Sequence, residues 1–408
     1  MKIAIVGAGI AGVTTAYELA QDGHEVTVLD QRSAAAEESS FANGGLLGPC
    51  LSIPGSFARK GGLGALEHWS PKISLRLAQG AGLQGLVWRW RWSGSRTPIQ
   101  TLESMARYSA ERTANIATRH ELDFDATQGR MLLFRSAKER THFQPAIDWL
   151  REAGTPLEDI SPDKARQLEP GLSPEAPLDS AVLLPRASAG NCRLFAQLLR
   201  QGLQTAGVQF CFGSQITRLA TQPTEIHIAS EPIPRRFDAV VLCTGSATAA
   251  LLKPLGIKLP MAAVYGYSVS APLREATHAP LASAVDMQRQ ITITRQGQRI
   301  RITGGYELGA HDAPHHHPSL QQLYQTINDW FPGGAQLSSQ LQIWRGARPT
   351  LPDAAPIVGA SGIPGLWINA GHGAAGWALA CGSARATADL IAQRNPDISL
   401  QGFEVGRF

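Results

Sequence analysis

Gly7-Ala8-Gly9-Ile10-Ala11-Gly12 is the stretch from which chemistry can be argued first. Lys2 to Val6, before it, is a short apolar run rich in β-formers. Val13 to Ala20, after it, reads as a helix. Glu25 to Leu29 reads as a second strand and ends on Asp30. Strand, glycine turn, helix, strand and acid together make the dinucleotide fingerprint in its required context. Gly7 permits the tight turn, Gly9 lets backbone approach a pyrophosphate, and Gly12 lets the helix pack on the strand. Ala8, Ile10 and Ala11 bring the helix N-terminus, with its unpaired N–H groups and positive dipole end, to the phosphates. Asp30, followed by Gln31 and Arg32, is placed to accept from a ribose hydroxyl.

Two further stretches carry cofactor chemistry. Phe237 to Leu242 is an apolar strand that stops at Cys243-Thr244-Gly245, leaving the Thr244 hydroxyl and the bare Gly245 backbone at the carboxyl end of a parallel sheet, where ligands of open α/β folds bind. Leu366 to Ala370 is a strand, Gly371-His372-Gly373 a turn, and Gly376-Trp377 the start of a closing helix. That helix points its positive end at a ring carrying negative charge when reduced. Between fingerprint and middle strand, Ser39 to Leu47 is small, polar and glycine-rich, so that Ser40, Asn43, Gly44, Gly45 and Leu46 can come close to a ligand.

Such elements at both ends and in the middle suit a long cofactor held by a domain that the chain enters three times. FAD fits this better than NAD, whose domain is usually continuous. We expect the FAD domain at 1–56, 186–257 and 346–408, and a substrate domain at 57–185 and 258–345. The period-two runs 263–269, 290–294 and 299–303 give the latter antiparallel strands with one polar face. Residues 101–122 and 139–153 read as helices, and 155–180 as a proline-rich connection.

Composition is that of a globular chain of two domains: 408 residues, 43% hydrophobic, 17% charged, and a formal charge of +4 that asks for no nucleic acid. Five scattered cysteines without CxxC argue against a disulfide framework and suit a reducing compartment. The histidines at 311 and 315–317 lie among prolines and read as a solvated loop, so no metal is expected. We expect no secretory leader and no transmembrane segment. Residues 63–92 end in alternating tryptophan and arginine, a pattern suited to reversible contact with a membrane surface or to covering the substrate domain.

Gly7 to Gly12, Ser40-Phe41-Ala42-Asn43-Gly44-Gly45, Tyr265-Gly266-Tyr267-Ser268, Arg345-Gly346-Ala347-Arg348-Pro349 with Pro352-Asp353 and Pro356 to Gly359, and Gly371 to Trp377 together resemble the D-amino acid dehydrogenase branch of the D-amino-acid-oxidase-like flavoproteins. The resemblance runs nearly end to end. It implies an α/β chain of GR2 type, with a Rossmann-like FAD domain and a substrate domain built on a mixed, largely antiparallel sheet. It implies non-covalent FAD and hydride transfer from the α-carbon of an amino acid, a D-amino acid first of all, to flavin N5. The imino acid is then hydrolysed to a 2-oxo acid and ammonia. It places Arg348 on the substrate carboxylate and against the cofactor, with the Tyr267 hydroxyl as second donor. The place of His372 in the glycine turn sets it against the cofactor rather than the substrate amine, so no protein base is expected there. Electrons would leave to a quinone or dye-like acceptor, from the cytoplasmic side of a membrane. The sequence departs from the family at Tyr265, where a basic residue is usual, and at Asp30, where many members have Glu. An oxygen-using glycine- or sarcosine-type oxidase, a hydroxyproline dehydrogenase, an NAD(P) enzyme and a non-enzymatic redox sensor are the other readings.

Overall fold

Three apolar segments, Lys2–Val6, Glu25–Leu29 and Ala239–Leu242, align in parallel so that Val6 lies between Leu29 and Leu242. A computed structural model describes residues 1–49, 74–75, 99–308, 311 and 313–408. In it these strands form the centre of a six-stranded sheet, flanked by Leu366–Ala370 and the antiparallel edge strand Ile357–Ala360 on one side and by Gln209–Cys211 on the other. Both faces of the sheet are buried, which is why its strands are apolar throughout rather than alternating. Ile3, Ile5, Val26, Val28 and Val241 face helices Ile10–Gln21, Cys192–Thr205 and Gly376–Ile391; Ala4, Val6, Val240, Leu242 and Ile368 face a second apolar cluster. Because the register is level, the turns that follow Val6, Leu29, Leu242 and Ala370 open at one edge of the sheet.

Helix Ile10–Gln21 is tied across the domain by a buried charge. Glu18, 1% exposed, accepts from Arg112 Nη2 at 2.6 Å and from Arg385 Nη1 at 2.9 Å, joining it to helices Ile99–Arg119 and Gly376–Ile391. The Asn369 amide donates to Thr15 Oγ1 at 3.0 Å, so the first helix is also pinned to the last strand of the sheet.

The second sheet has ten strands and is mixed, largely antiparallel, as the family resemblance implies. Its order is Gln342–Thr350, Ala262–Pro272, Arg299–Leu308, Ile291–Gln296, Ser283–Asp286, Thr127–Phe134, Ser180–Ala189 and Leu46–Leu47, with Ser74–Leu75 and Glu158–Ile160 paired beside this path. Period-two alternation gives it one greasy and one polar face. Tyr267, Val269, Ile291, Ile293, Ile300 and Ile302 pack under helix His317–Trp330. The alternate residues Ser268, Ser270, Thr292, Thr294, Arg301 and Thr303 face the loop from Ser39 to Leu46.

Two of the expected domain boundaries, 185/186 and 345/346, fall inside single strands, Ser180–Ala189 and Gln342–Thr350. The expected connection 155–180 contains a helix, Pro162–Leu168, capped by Ser161, whose side chain accepts from Lys164 N–H with proline in the first turn. That is an ordinary helix start. The expected surface segment 63–92 lies outside the described residues, apart from the backbone at 74–75. Among the described residues no helix is long and apolar enough to cross a membrane.

Candidate functional site

A cleft of about 580 Å³ runs between the carboxyl edge of the first sheet and the polar face of the second. Its volume is in the range of sites that bury a cofactor or drug-sized ligand. Of the residues expected to hold a cofactor, Gly7, Gly9, Ile10, Ala11, Asp30, Gln31, Arg32, Ser40, Asn43, Gly44, Gly45, Leu46, Thr244, Gly245, Gly371, His372, Gly373, Gly376 and Trp377 line it, and so does Arg348. Ala8 and Gly12 stand behind this lining.

The fingerprint glycines divide by what a side chain would strike. At Gly7, with φ +104°, a Cβ would lie 2.4 Å from Cys243 O; at Gly12 it would lie 1.8 Å from Gly7 O. Both positions are closed by the protein's own backbone. At Gly9 the nearest atom is Ser40 Oγ at 3.5 Å. The protein leaves room for a side chain there, and the space faces the cleft. A bare backbone beside open space at a helix N-terminus fits a dinucleotide pyrophosphate. Ser40 Oγ accepts from Ile10 N–H at 3.0 Å, which fixes the loop to the start of the helix. Asp30 accepts from Ala8 N–H at 2.6 Å through Oδ2 and from Arg32 N–H at 2.7 Å through Oδ1. A carboxylate has about four lone-pair sites, so both oxygens retain capacity for a ribose hydroxyl. Arg32 itself is ion-paired to Glu38.

At the opposite end, Arg348 projects from the edge strand Gln342–Thr350. Its Nη1 donates to Gly305 O at 2.8 Å, and its guanidinium carbon stands 4.6 Å from the centre of the Tyr306 ring. A Cβ on Gly266 would lie 2.2 Å from Nη2, so the guanidinium rests flat on bare backbone. Among the described residues no carboxylate pairs with Arg348.

Tyr267 does not share this arrangement, contrary to the role expected for it. Strand register puts Gly266 opposite Gly346 and Tyr267 opposite Arg345, so Tyr267 points to the face away from Arg348. Its hydroxyl donates to Glu307 Oε2 at 2.5 Å and accepts from His316 N–H at 2.9 Å, and Glu307 is ion-paired with Arg345 at 2.9 Å. Burial pushes the Tyr267 hydroxyl above its ordinary pKa, with Glu307 adding to this. Tyr267 lines the cleft together with Gly266 and Ser268, but its hydroxyl is committed to Glu307 and His316 N–H. Tyr267→Phe should therefore cost about 1–3 kcal/mol of stability, by leaving Glu307 and His316 N–H short of a partner, while KM for substrate stays unchanged. Thermal denaturation and steady-state kinetics of the variant check this, and a raised KM would return Tyr267 to the site.

Tyr306 is the tyrosine on Arg348's side. Between Tyr265↔Glu307 and Tyr267↔Gly304, two residues, Gly305 and Tyr306, oppose the single Gly266. This is a β-bulge, with Gly305 at φ +75°, and a bulge re-aims the side chain beside it. The Gly304-Gly305 pair within an alternating strand was the available signal. Trp344, Thr292 and Thr303 complete that wall; Ser214 and Leu251 line the far end. None of these was singled out from sequence.

His372 borders the cleft, but its ring is 3.0 Å from Ser383 Oγ on the following helix and buried, and burial pushes its pKa down to about 4. It is neutral at physiological pH and committed within the protein, which suits a structural role in the turn. Trp377 packs edge-on against Phe124 and at a tilt on Phe195, with its Nε1 unpartnered.

Residues 2–390 match the family of FAD dependent oxidoreductases. The chain is 36% identical to a D-amino acid dehydrogenase of Cereibacter sphaeroides, over all of this chain and 95% of that one. It is 34% identical to another from Methylobacterium radiotolerans, over the whole of both. Among solved structures it superposes on glycine oxidase from Bacillus cereus with a TM-score of 0.75 at 19% identity, covering 97% of this chain and 96% of that one. It matches L-proline dehydrogenase from P. horikoshii with the same score at 17% identity, covering 100% and 97%. With a fingerprint closed where protein must pack and open where a pyrophosphate must lie, and with relatives matched from end to end, the chain belongs to the FAD-dependent oxidoreductase family and its cofactor is FAD.

Proposed function

We propose that the protein oxidatively deaminates an amino acid, a D-amino acid first of all, and passes the electrons to a quinone or similar acceptor. The observation that carries this reading is Arg348: a guanidinium without a carboxylate partner among the described residues, laid on bare glycine backbone and stacked on Tyr306, in the same cleft as the cofactor fingerprint. Such a cation is built for a substrate α-carboxylate, to which Nη2 and Nε offer a planar pair of donors. Tyr306, whose hydroxyl has no hydrogen-bond partner among the described residues, takes the place of second donor. FAD, when bound, accepts the hydride. The protein's part is to fix the carboxylate and so to aim the Cα–H bond. The amino acid loses two electrons and two protons to become an imino acid, which takes up water and releases ammonia and a 2-oxo acid.

The chain is read as a cofactor unit built on the six-stranded sheet and a substrate unit built on the ten-stranded one. FAD is held without a covalent bond by the fingerprint, by Asp30 to Arg32, by the Ser40–Leu46 loop, by Thr244-Gly245 and by the Gly371–Trp377 turn. The relatives named D-amino acid dehydrogenase support the chirality and a non-oxygen acceptor. A peripheral position on the inner face of the cytoplasmic membrane goes with a quinone acceptor.

Anaerobic mixing of the yellow protein with a panel of D- and L-amino acids, glycine and proline analogues tests this. Bleaching by D-amino acids, with ammonia released and turnover sustained by a quinone analogue, is expected. Bleaching only by L-amino acids, or fast peroxide formation with no gain from quinone, defeats the proposal.

A further inference from the structure

Arg301 is a second guanidinium without an acid. It lies on the polar face of the ten-stranded sheet, with Thr294 and Ser270 as its register partners. Its Nη1 approaches Asn43 O at 3.4 Å, at the long edge of a hydrogen bond, and its Nε has no partner. Among the described residues it makes no salt bridge. The acid acting on it, Asp125, accepts from the Asn191 amide at 3.1 Å. Burial pushes its pKa down to about 10, so it is still charged at neutral pH. Around it Thr294 Oγ1, Ser268 Oγ and both amide atoms of Gln296 are buried and unpartnered, and none of these groups carries a charge to set against it. Arg193, which stands 4.2 Å over the Phe41 ring, also makes no salt bridge among the described residues and adds charge of the same sign.

A largely desolvated guanidinium whose one bonded partner among the described residues is a backbone carbonyl at 3.4 Å is costly and is kept only where something compensates it. What separates Arg301 from the cofactor cleft is one layer of backbone. Asn43 and Gly44 line the cleft, and the same residues rest on Arg301 and Thr303: a Cβ on Gly44 would lie 2.7 Å from Thr303 Oγ1. Resting on the FAD reading above, we infer that Arg301 is an electrostatic positioning residue, which holds the Asn43–Gly45 loop and supplies the positive potential that favours the cofactor's negative charge. A hydride carries two electrons and one proton and so adds one negative charge to the cofactor on arrival. A fixed cation behind the loop stabilises that charge and raises the reduction potential. It attracts the two phosphates as well. A unit charge within about 10 Å of a site, at an effective dielectric near 20, shifts an equilibrium on the order of tenfold.

The test compares holoenzymes carrying Arg301→Gln, Arg301→Lys and Thr294→Asp with wild type. Midpoint potential is read by equilibration with a reference dye, and FAD affinity by fluorescence of the released flavin. Arg301→Gln is expected to move the potential to more negative values and to weaken FAD binding about tenfold. Arg301→Lys should recover most of both. Thr294→Asp, which places a carboxylate beside an intact Arg301, should shift both as Arg301→Gln does, and it decides the matter if Arg301→Gln fails to fold. The inference is overturned if Thr294→Asp matches wild type in potential and affinity, if Arg301→Gln does so, or if Arg301→Lys is as impaired as Arg301→Gln. A wild-type protein that takes up no FAD overturns the FAD reading and this inference with it.

Discussion

Arg348→Lys should raise KM for the amino acid by about a hundredfold or more while FAD stays bound. Losing one partner of a desolvated, hydrogen-bonded charge pair costs about 2–5 kcal/mol, and a lysine retains charge but not the planar fork. Arg348 Nη1 is held by Gly305 O, and the guanidinium plane is set by Tyr306 on one side and the Gly266 backbone below. An ammonium has no plane to be set and no second nitrogen to offer. Gly266→Ala gives an independent check. A methyl group there would fall 2.2 Å from Nη2 and displace the guanidinium without changing any charge. It should raise KM in the same way, with the flavin spectrum unaltered. An unchanged KM in Arg348→Lys removes Arg348 from substrate binding and with it the clamp.

The second large effect separates two glycines three residues apart. Gly12→Ala should abolish soluble holoenzyme, because its Cβ would sit 1.8 Å from Gly7 O and neither backbone can yield without opening the strand–helix junction. Gly9→Ala should fold, with apoprotein stability within about 1 kcal/mol of wild type, the size of an exchange at a helix N-cap. It should nevertheless lose FAD affinity by tenfold or more, because the methyl group occupies space the protein leaves to the pyrophosphate. Denaturant melts of the two apoproteins, with FAD titration of whichever folds, make the comparison. Stoichiometric FAD in purified Gly9→Ala would sink this account of the fingerprint.

The cofactor half of the cleft was legible because its signals are local. A strand, a turn and a helix within a dozen residues define the fingerprint, and level register then brings Asp30, Thr244 and Gly371 to one edge. The substrate half was legible in composition but not in direction. Tyr265 and Tyr267 alternate correctly with Gly266, yet which face meets the cleft depends on pairing with strands some 40 and 80 residues away in sequence. A single extra residue at Gly305 exchanges Tyr267 for Tyr306 beside Arg348, and a one-residue shift in a strand reverses every side chain. Arg301 was invisible for a related reason. In sequence, Arg299-Ile300-Arg301-Ile302 reads as a strand with a wet face. That face is turned instead onto the Asn43–Gly45 loop.

The bonds between the first helix and the last elements bear on how the protein is made. Glu18 is satisfied by Arg385, and Thr15 by Asn369, partners 367 and 354 residues downstream. As the chain leaves the ribosome, the fingerprint helix therefore emerges long before the groups that complete its packing. Its buried carboxylate has no full complement of cations until the closing helix is translated. The FAD cradle is complete only when segments more than 350 residues apart in sequence have come together. Contacts of such long sequence separation are slow to form, so the nascent amino-terminal strands must wait in an incomplete sheet.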